Sequence, residues 1–307
     1  MNVQILGAAA GGGLPQWNCR CTNCESVRQG KENVRARSQS SIAVSGNGTH
    51  WFLFNASADV RQQLLGFNQL WPPEGELRGI AIAGCIVTDA EIDHVSGLLQ
   101  LREGSAFPIY STALVRKWLT EDLPINSILS SFSARTWNTI EIDQPLELTL
   151  PSGQPSGLSI KAIDAGTHAP RYVPSSTSKH TGSVIGLEII DLNTQGRLLY
   201  APGVVTLNTA MRHAAESAHC VMIDGTFWSN EELVELRLST RTASQMGHIP
   251  VDGKSGTLKW LASLSAQHRV YIHINNTNPM LDESGPQHHA VTSNGIRVGQ
   301  DGDTFTL

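Results

Sequence analysis

The chain has 307 residues, a formal net charge of -5 and only 16% charged residues. That length supports a sizeable packed core, and with no run of like charges there is no electrostatic footprint for nucleic acid or an anionic membrane surface. No stretch of 18 consecutive apolar residues occurs, and MNVQILGAAAGGG lacks a basic segment followed by an apolar one, so a soluble, untargeted, cytoplasmic protein is expected.

The first predicted strand is Val3 to Leu6. The glycine-dense GAAAGGGLP after it lacks both the Gly-x-Gly-x-x-Gly order and a Walker lysine, and reads as a tight turn rather than a phosphate cradle. Next come Cys19, Cys21 and Cys24, a Cys-x-Cys-x-x-Cys cluster able to give three thiolates to one tetrahedral ion, with a structural zinc the expected occupant. The other two cysteines, Cys85 and Cys220, sit in apolar runs, so buried thiols in a reducing compartment are expected rather than a disulfide framework.

SSIAVSG and HWFLFNAS read as two strands joined by a turn at Gly46 to Gly48, and a helix is predicted from Ala58 to Gly66. GIAIAGCIVT reads as a strand buried on both faces. At its end TDAEIDHVSGLL crowds Asp89, Glu91, Asp93 and His94 together. In an extended loop the three acids share a side and His94 turns to join them, a convergence that repels unless a cation sits within it. The plain alternative is a solvated loop in which Asp93 caps the next helix.

A helix from Val95 to Arg102, the strand FPIYST and a helix from Ala113 to Leu119 follow. LELTLPSGQ, LSIKAIDAGTHAP, SVIGLEIID and GRLLYAPGV carry strand alternation. The second half repeats the theme: helix Asn208 to Ser217, strand Cys220 to Ile223, helix Gly256 to Ala266, strand Arg269 to His273, and a closing hairpin around Gly299 to Gly302. This order predicts two sheets packed face to face under outer helices, although periodicity alone does not choose them over one doubly wound sheet. Asp224, ending CVMID, is a candidate acid behind the site, whereas His288 and His289 read as a solvated pair.

TDAEIDHVSGL resembles the His-x-His-x-Asp-His signature of the metallo-β-lactamase superfamily, with Asp89 and Glu91 in the first two histidine places and Asp93 and His94 matching the last two. FLFNASADVR resembles the early strand and turn, DAGTHAP the segment of the third-motif histidine at His168, and VYIHINNTNP the last strand with its histidine, His273. In LLYAPGV, Gly203 occupies the place of the superfamily's bridging aspartate. His248 in MGHIP resembles the auxiliary histidine motif of the tRNA-processing branch, though a lone histidine is often only hydrogen-bonded structure. Together WNCRCTNC, VMIDGTFW, MGHIPVDG and HINNTNPML are similar to the branch of the superfamily that serves pyrroloquinoline quinone biosynthesis.

The resemblance implies an α/β fold, an αββα sandwich, as one domain over 1–307 with an N-terminal metal-binding loop. It also implies that the first metal position of the two-metal hydrolases is lost with its histidines and bridge, while Asp93, His94 and His273 survive. Two histidines and a carboxylate leave three open positions on an octahedral ion, the set of non-haem Fe(II) oxygenases. One zinc could use the same set, but the two-metal clamp on attacking and leaving oxygens would be gone. Asp89 and Glu91 could orient His94, accept protons or bind a substrate ammonium, and Glu91 could ligate directly. His168 is assigned to substrate or acid-base work, with a hydrogen-bonded loop histidine as the alternative. In a phosphonate-pathway relative a histidine three residues beyond the terminal metal histidine completes the cysteine site; Asn276 stands there, a weak zinc ligand.

The implied activity is iron-dependent oxygenation of the tyrosine-derived ring of a Glu-Tyr cross-linked precursor, with O2 as co-substrate and contacts to other proteins of that pathway. Arg171, close to His168 in sequence, is a candidate partner for the substrate's carboxylates. The rivals are a zinc hydrolase and a non-catalytic carrier of the finished quinone.

Overall fold

The computed structural model describes residues 1–104, 106–133, 135–174 and 180–307. Its strands are β1 (Asn2–Gly7), β2 (Ser41–Ser45), β3 (Trp51–Phe54), β4 (Ile82–Ile86), β5 (Ile109–Ser111), β6 (Trp137–Thr139), β7 (Pro145–Thr149), β8 (Pro155–Gly166), β9 (Val184–Asp191), β10 (Arg197–Ala201), β11 (Cys220–Asp224), β12 (His268–Ile272), β13 (Arg297–Val298) and β14 (Thr304–Thr306). They form two seven-stranded sheets, ordered β14-β1-β2-β3-β4-β5-β6 and β13-β12-β11-β10-β9-β8-β7. Across each sheet antiparallel pairings give way to parallel ones, at β3 in the first and at β10 in the second, so the second half repeats the pairing scheme of the first.

Helices cover the outer faces: α1 (Thr22–Arg28), α2 (Val60–Gly66), α3 (Ile92–Val95), α4 (Ala113–Glu121), α5 (Ile125–Ser130), α6 (Thr209–Ser217), α7 (Glu232–Glu235), α8 (Leu258–Ser263) and α9 (Pro286–Thr292). Strand alternation sorts the side chains into layers. Phe52 and Phe54 point between the sheets with Leu187, Tyr200 and Ile272, while Leu53 packs outward with Val60 and Val115. Tyr271 likewise leaves the inter-sheet core for a layer containing Met211 and Leu261. The result is the expected four-layer αββα sandwich, and Cys85 and Cys220 are buried in it with their thiols pushed up to about 12 by burial. Among the described residues no helix is long and apolar enough to cross a membrane.

Two local expectations are corrected. The helix expected from Val95 to Arg102 is a 3-10 segment, Ser96–Glu103, continuing from α3. Its buried side chains Leu98 and Leu101 continue the spacing from Val95 of α3, and a spacing of three suits a helix of three residues per turn. The expected C-terminal hairpin is absent, because β13 pairs with β12 and β14 pairs with β1, so the turn carries the chain from one sheet to the other.

Gly97 holds α3 close to the chain that leaves β3. Its N–H donates to Ala56 O at 2.9 Å, and a Cβ there would lie 2.1 Å from Ser57 O. Gly97→Ala should therefore displace α3 or the 56–57 backbone at a cost of roughly 1–3 kcal/mol, read as a lower urea midpoint with weakened metal uptake.

Candidate metal centre

Beyond β4 the chain is pinned by Asn55, itself at φ 64. Thr88 N donates to Asn55 Oδ1 at 3.0 Å, and Asn55 Nδ2 donates to Thr88 Oγ1 at 3.0 Å. Glu91 then occupies the N-cap position of α3 without a side-chain cap bond, and Asp93 lies inside the first turn. Asp93 therefore caps nothing, and a helical turn rather than strand alternation brings it beside His94.

Both site imidazoles are locked through Nδ1. His94 Nδ1 lies 2.8 and 2.7 Å from the two Asp89 oxygens, which also accept from Thr88 Oγ1 at 2.8 Å and Glu91 N at 2.9 Å. A carboxylate only accepts, so Nδ1 carries a hydrogen and Nε2 is the nitrogen left to hold a proton or a metal ion. His273 follows β12 with φ 54, an uncommon conformation for a non-glycine residue. Its Nδ1 lies 2.8 Å from Thr226 Oγ1, whose hydroxyl donates to Asp224 Oδ1 at 2.6 Å. With that hydrogen given to Asp224, Thr226 accepts from His273, and here too Nε2 is the nitrogen left over.

These atoms converge on one carboxylate. Asp93 Oδ2 is 3.4 Å from His273 Nε2 and 3.9 Å from His94 Nε2. One ligand atom from each of Asp93, His94 and His273 falls within 4.8 Å of the others. His94 Nε2 is buried and makes no hydrogen bond, an arrangement that suits a cation between the rings, with Asp89 the orienting carboxylate behind one ligand. The electrostatics agree. Burial opposes charge on His94, but Asp89 and Asp93 outweigh it and raise its pKa to about 9. Against the cost of its own burial, Asp93 is held well below the usual carboxylate range by His94 and His273. Glu91 is pushed up to about 7 by burial and then by Asp89 and Asp93.

Asp224, His248 and His273 form a second close group sharing one histidine. Asp224 already accepts from Val204 N at 3.1 Å, Thr226 N at 2.9 Å, Thr226 Oγ1 at 2.6 Å and His248 Nδ1 at 2.7 Å. Four acceptor sites are thereby used, which makes it an orienting group for His248 rather than an open ligand. The His248 ring stacks on His273, with centroids 5.5 Å apart.

The centre opens into a cavity of about 340 Å³ that also exposes His168, Arg171 and Arg241. The glycine-dense N-terminal turn supplies one wall: Ala10 N donates to Ile274 O at 2.9 Å, and a Cβ on Gly11 would stand 3.2 Å from Asp93 Oδ2. His168 lies outside both ligand groups but packs beside Gly247. Burial and then Arg241, His248 and Arg171 lower its pKa.

The sulfurs of Cys19, Cys21 and Cys24 also fall within 4.8 Å of one another. Asn276 Nδ2 faces all three, at 3.1, 3.4 and 3.3 Å. An amide nitrogen has no ligating lone pair, so ligation by Asn276 would need the carboxamide turned to present Oδ1. Its main chain is fixed by Asn23, whose Nδ2 donates to Asn276 O at 2.9 Å. Next to it, Thr277 Oγ1 donates to Glu232 Oε1 at 2.5 Å, while Trp228 N donates to Glu232 Oε2 at 2.6 Å. Burial pushes Glu232 up to about 7 from 4.5. A carboxyl raised in the folded state costs stability as it ionises, so stability should fall between about pH 4.5 and 7, by on the order of 3 kcal/mol at most. Glu232→Gln keeps an acceptor for Trp228 and offers its amide N–H to Thr277 Oγ1, reversing that bond, and should flatten the slope in urea titrations at pH 5 and 8.

Comparison with known proteins fits this geometry. Residues 50–274 match the family model for the beta-lactamase superfamily domain. The coenzyme PQQ synthesis protein B of Pseudomonas fluorescens is 40% identical and that of an Azoarcus species 41% identical, each over the full length of both chains. The chain belongs to the coenzyme PQQ synthesis protein B family. The crystal structure of Zn2+-bound PqqB from Methylobacterium extorquens superposes with a TM-score of 0.91, at 34% identity and full coverage of both chains. A diphosphatase of the PhnP family, 16% identical with a TM-score of 0.66 over 100% of this chain and 97% of its own, shares the fold.

In this PqqB-family chain the structure brings Asp93, His94 and His273 together and sets Asp89 behind His94. Glu91 and His168 line the cavity. Asp224 and His248 carry only weak pointers in the sequence, and Thr226 and Arg241 are not singled out by it. The available signal was the run IDGT closing an apolar strand, where a carboxylate and a hydroxyl two residues apart can turn back on each other. His288 is not merely solvated: its Nδ1 lies 2.9 Å from Met280 O.

Proposed function

We propose that the chain serves pyrroloquinoline quinone biosynthesis as an iron-dependent oxygenase of the tyrosine-derived ring of a Glu-Tyr cross-linked precursor. Asp93, His94 and His273 would hold one Fe(II), and Cys19, Cys21 and Cys24 a structural zinc. The observation supporting the first set is the pair of imidazoles whose Nδ1 atoms are committed to Asp89 and Thr226, leaving both Nε2 atoms on the Asp93 side. Ferrous iron on two histidines and a carboxylate supplies O2 activation with positions left over for substrate.

The chain's own groups do the rest. Asp89 and Thr226 hold the two rings in register. His248, its Nδ1–H directed to Asp224, keeps Nε2 as the basic atom that takes the phenolic proton. Glu91, lining the cavity, is assigned to the substrate ammonium, and His168 to contact with the substrate body. A second reading, a one-zinc hydrolase, draws on the Zn2+-bound state of the Methylobacterium relative. Anaerobic reconstitution with Fe(II) or Zn(II), followed by O2 uptake with the cross-linked precursor, separates them. Uptake with iron alone is expected; equal turnover by the zinc form without O2 overturns the oxygenase reading.

A further inference from the structure

The cavity at the metal centre carries charge of two signs in two places. Glu91 is perturbed by Asp89, Asp93, His94 and His248, whereas His168 is perturbed by Arg241, His248 and Arg171. Geometry places His248 between the two: its ring stacks on His273 at the centre, and Gly247 before it packs against His168. Arg171 and Arg241 also line a second, outer cavity, to which Arg237 contributes and no acidic residue does. Arg20, Arg28, Arg35, Arg102, Arg197 and Arg297 each meet a carboxylate; among the described residues no ion pair involves the other arginines, and three of these, Arg171, Arg237 and Arg241, meet at this one cavity. Their convergence on one opening without a lining carboxylate leaves a local positive potential there, in a chain of net charge -5. Arg241 is partly oriented from behind, since its guanidinium donates to Gln245 O and its main-chain N–H to Ser239 Oγ at 2.9 Å. Planar guanidinium groups at a cavity rim are matched by carboxylates, to which they offer paired N–H donors.

We infer that Arg171 and Arg241 form the carboxylate-binding rim of the site and select a small substrate bearing at least two carboxylates remote from its reacting ring. The inference rests on the proposed function for the position of that ring alone. A ligand of this class spans the cavity with its anionic groups between the two arginines and its body along His168 and His248.

The test uses the full chain under nitrogen, with pyrroloquinoline quinone as a tricarboxylate probe and its trimethyl ester as the uncharged counterpart, both followed by quenching of tryptophan fluorescence. Arg241→Gln and Arg171→Gln should each raise the dissociation constant of the triacid about tenfold, the double variant roughly a hundredfold. Binding of the ester should not change, and neither should triacid binding by Arg61→Gln, an exposed arginine on α2. Native-like triacid binding by both rim variants, equal losses for acid and ester, or no saturable triacid binding by the unsubstituted chain would overturn the inference. Since no turnover is read, failure of iron-dependent O2 uptake would remove the oxygenase reading and leave the rim standing.

Discussion

Asp93→Ala and His94→Ala, loaded with Fe(II) under nitrogen, should each bind the ion more than about 100-fold more weakly than the unsubstituted chain and show no O2 uptake. The scale follows from the arrangement behind the ligands. Losing an orienting partner typically costs about 10–100-fold in metal affinity, so losing a ligand should exceed it. Asp89→Asn supplies the graded comparison, because it leaves His94 Nε2 in place but removes the carboxylate 2.7 Å from Nδ1. It should fall within that 10–100-fold range. Glu91→Gln distinguishes the remaining role, since Glu91 lies outside the close group of Asp93, His94 and His273. Unchanged iron affinity with a raised KM is expected; a loss as large as that of Asp93→Ala would make Glu91 a ligand. Equilibrium dialysis against a ferrous chelator reads all four variants.

Cys24→Ser should release the zinc proposed for the cysteine cluster and destabilise the chain. Cys24 is fully buried, and its sulfur lies 3.3 Å from Asn276 Nδ2 and 3.4 Å from Gln16 N. Structural zinc contributes about 10–16 kcal/mol in small zinc-binding peptides, and removing one thiolate forfeits part of that, on the order of 3 kcal/mol. In a chain of this size the melting temperature should drop by roughly 5–10 °C. The effect should reach the Asp93–His94–His273 centre as well. Asn275 lines the cavity, Asn276 faces the cysteines, and they stand two and three residues beyond His273. Zinc analysis together with iron dialysis is the measurement; retained zinc and an unchanged melting temperature would rule out the cluster as a metal site.

Much of the fold was legible because strand alternation and fully apolar runs report burial directly. HWFLFNAS and Cys220 to Ile223 read as strands, and Trp51–Phe54 and Cys220–Asp224 fold as strands buried on every residue. The 3-10 segment after α3 was less legible, since an apolar spacing of three resembles one side of an α-helix. The closing turn was misread because local pattern cannot tell which sheet edge each flanking strand joins. In the site, Asp93 and His94 were visible as neighbours. Their partner His273 was visible only through resemblance, being 179 positions beyond His94 in the sequence.

Taken alone, the sequence determined which side chains could ligate, which thiols are clustered and which runs must be buried, because these depend on residue type and local spacing. Only the tertiary structure decided which nitrogen of each histidine is free, that Asp224 serves His248, and that two arginines share a rim. Those outcomes depend on hydrogen bonds and charges meeting across segments far apart in the chain, and local spacing carries no record of them.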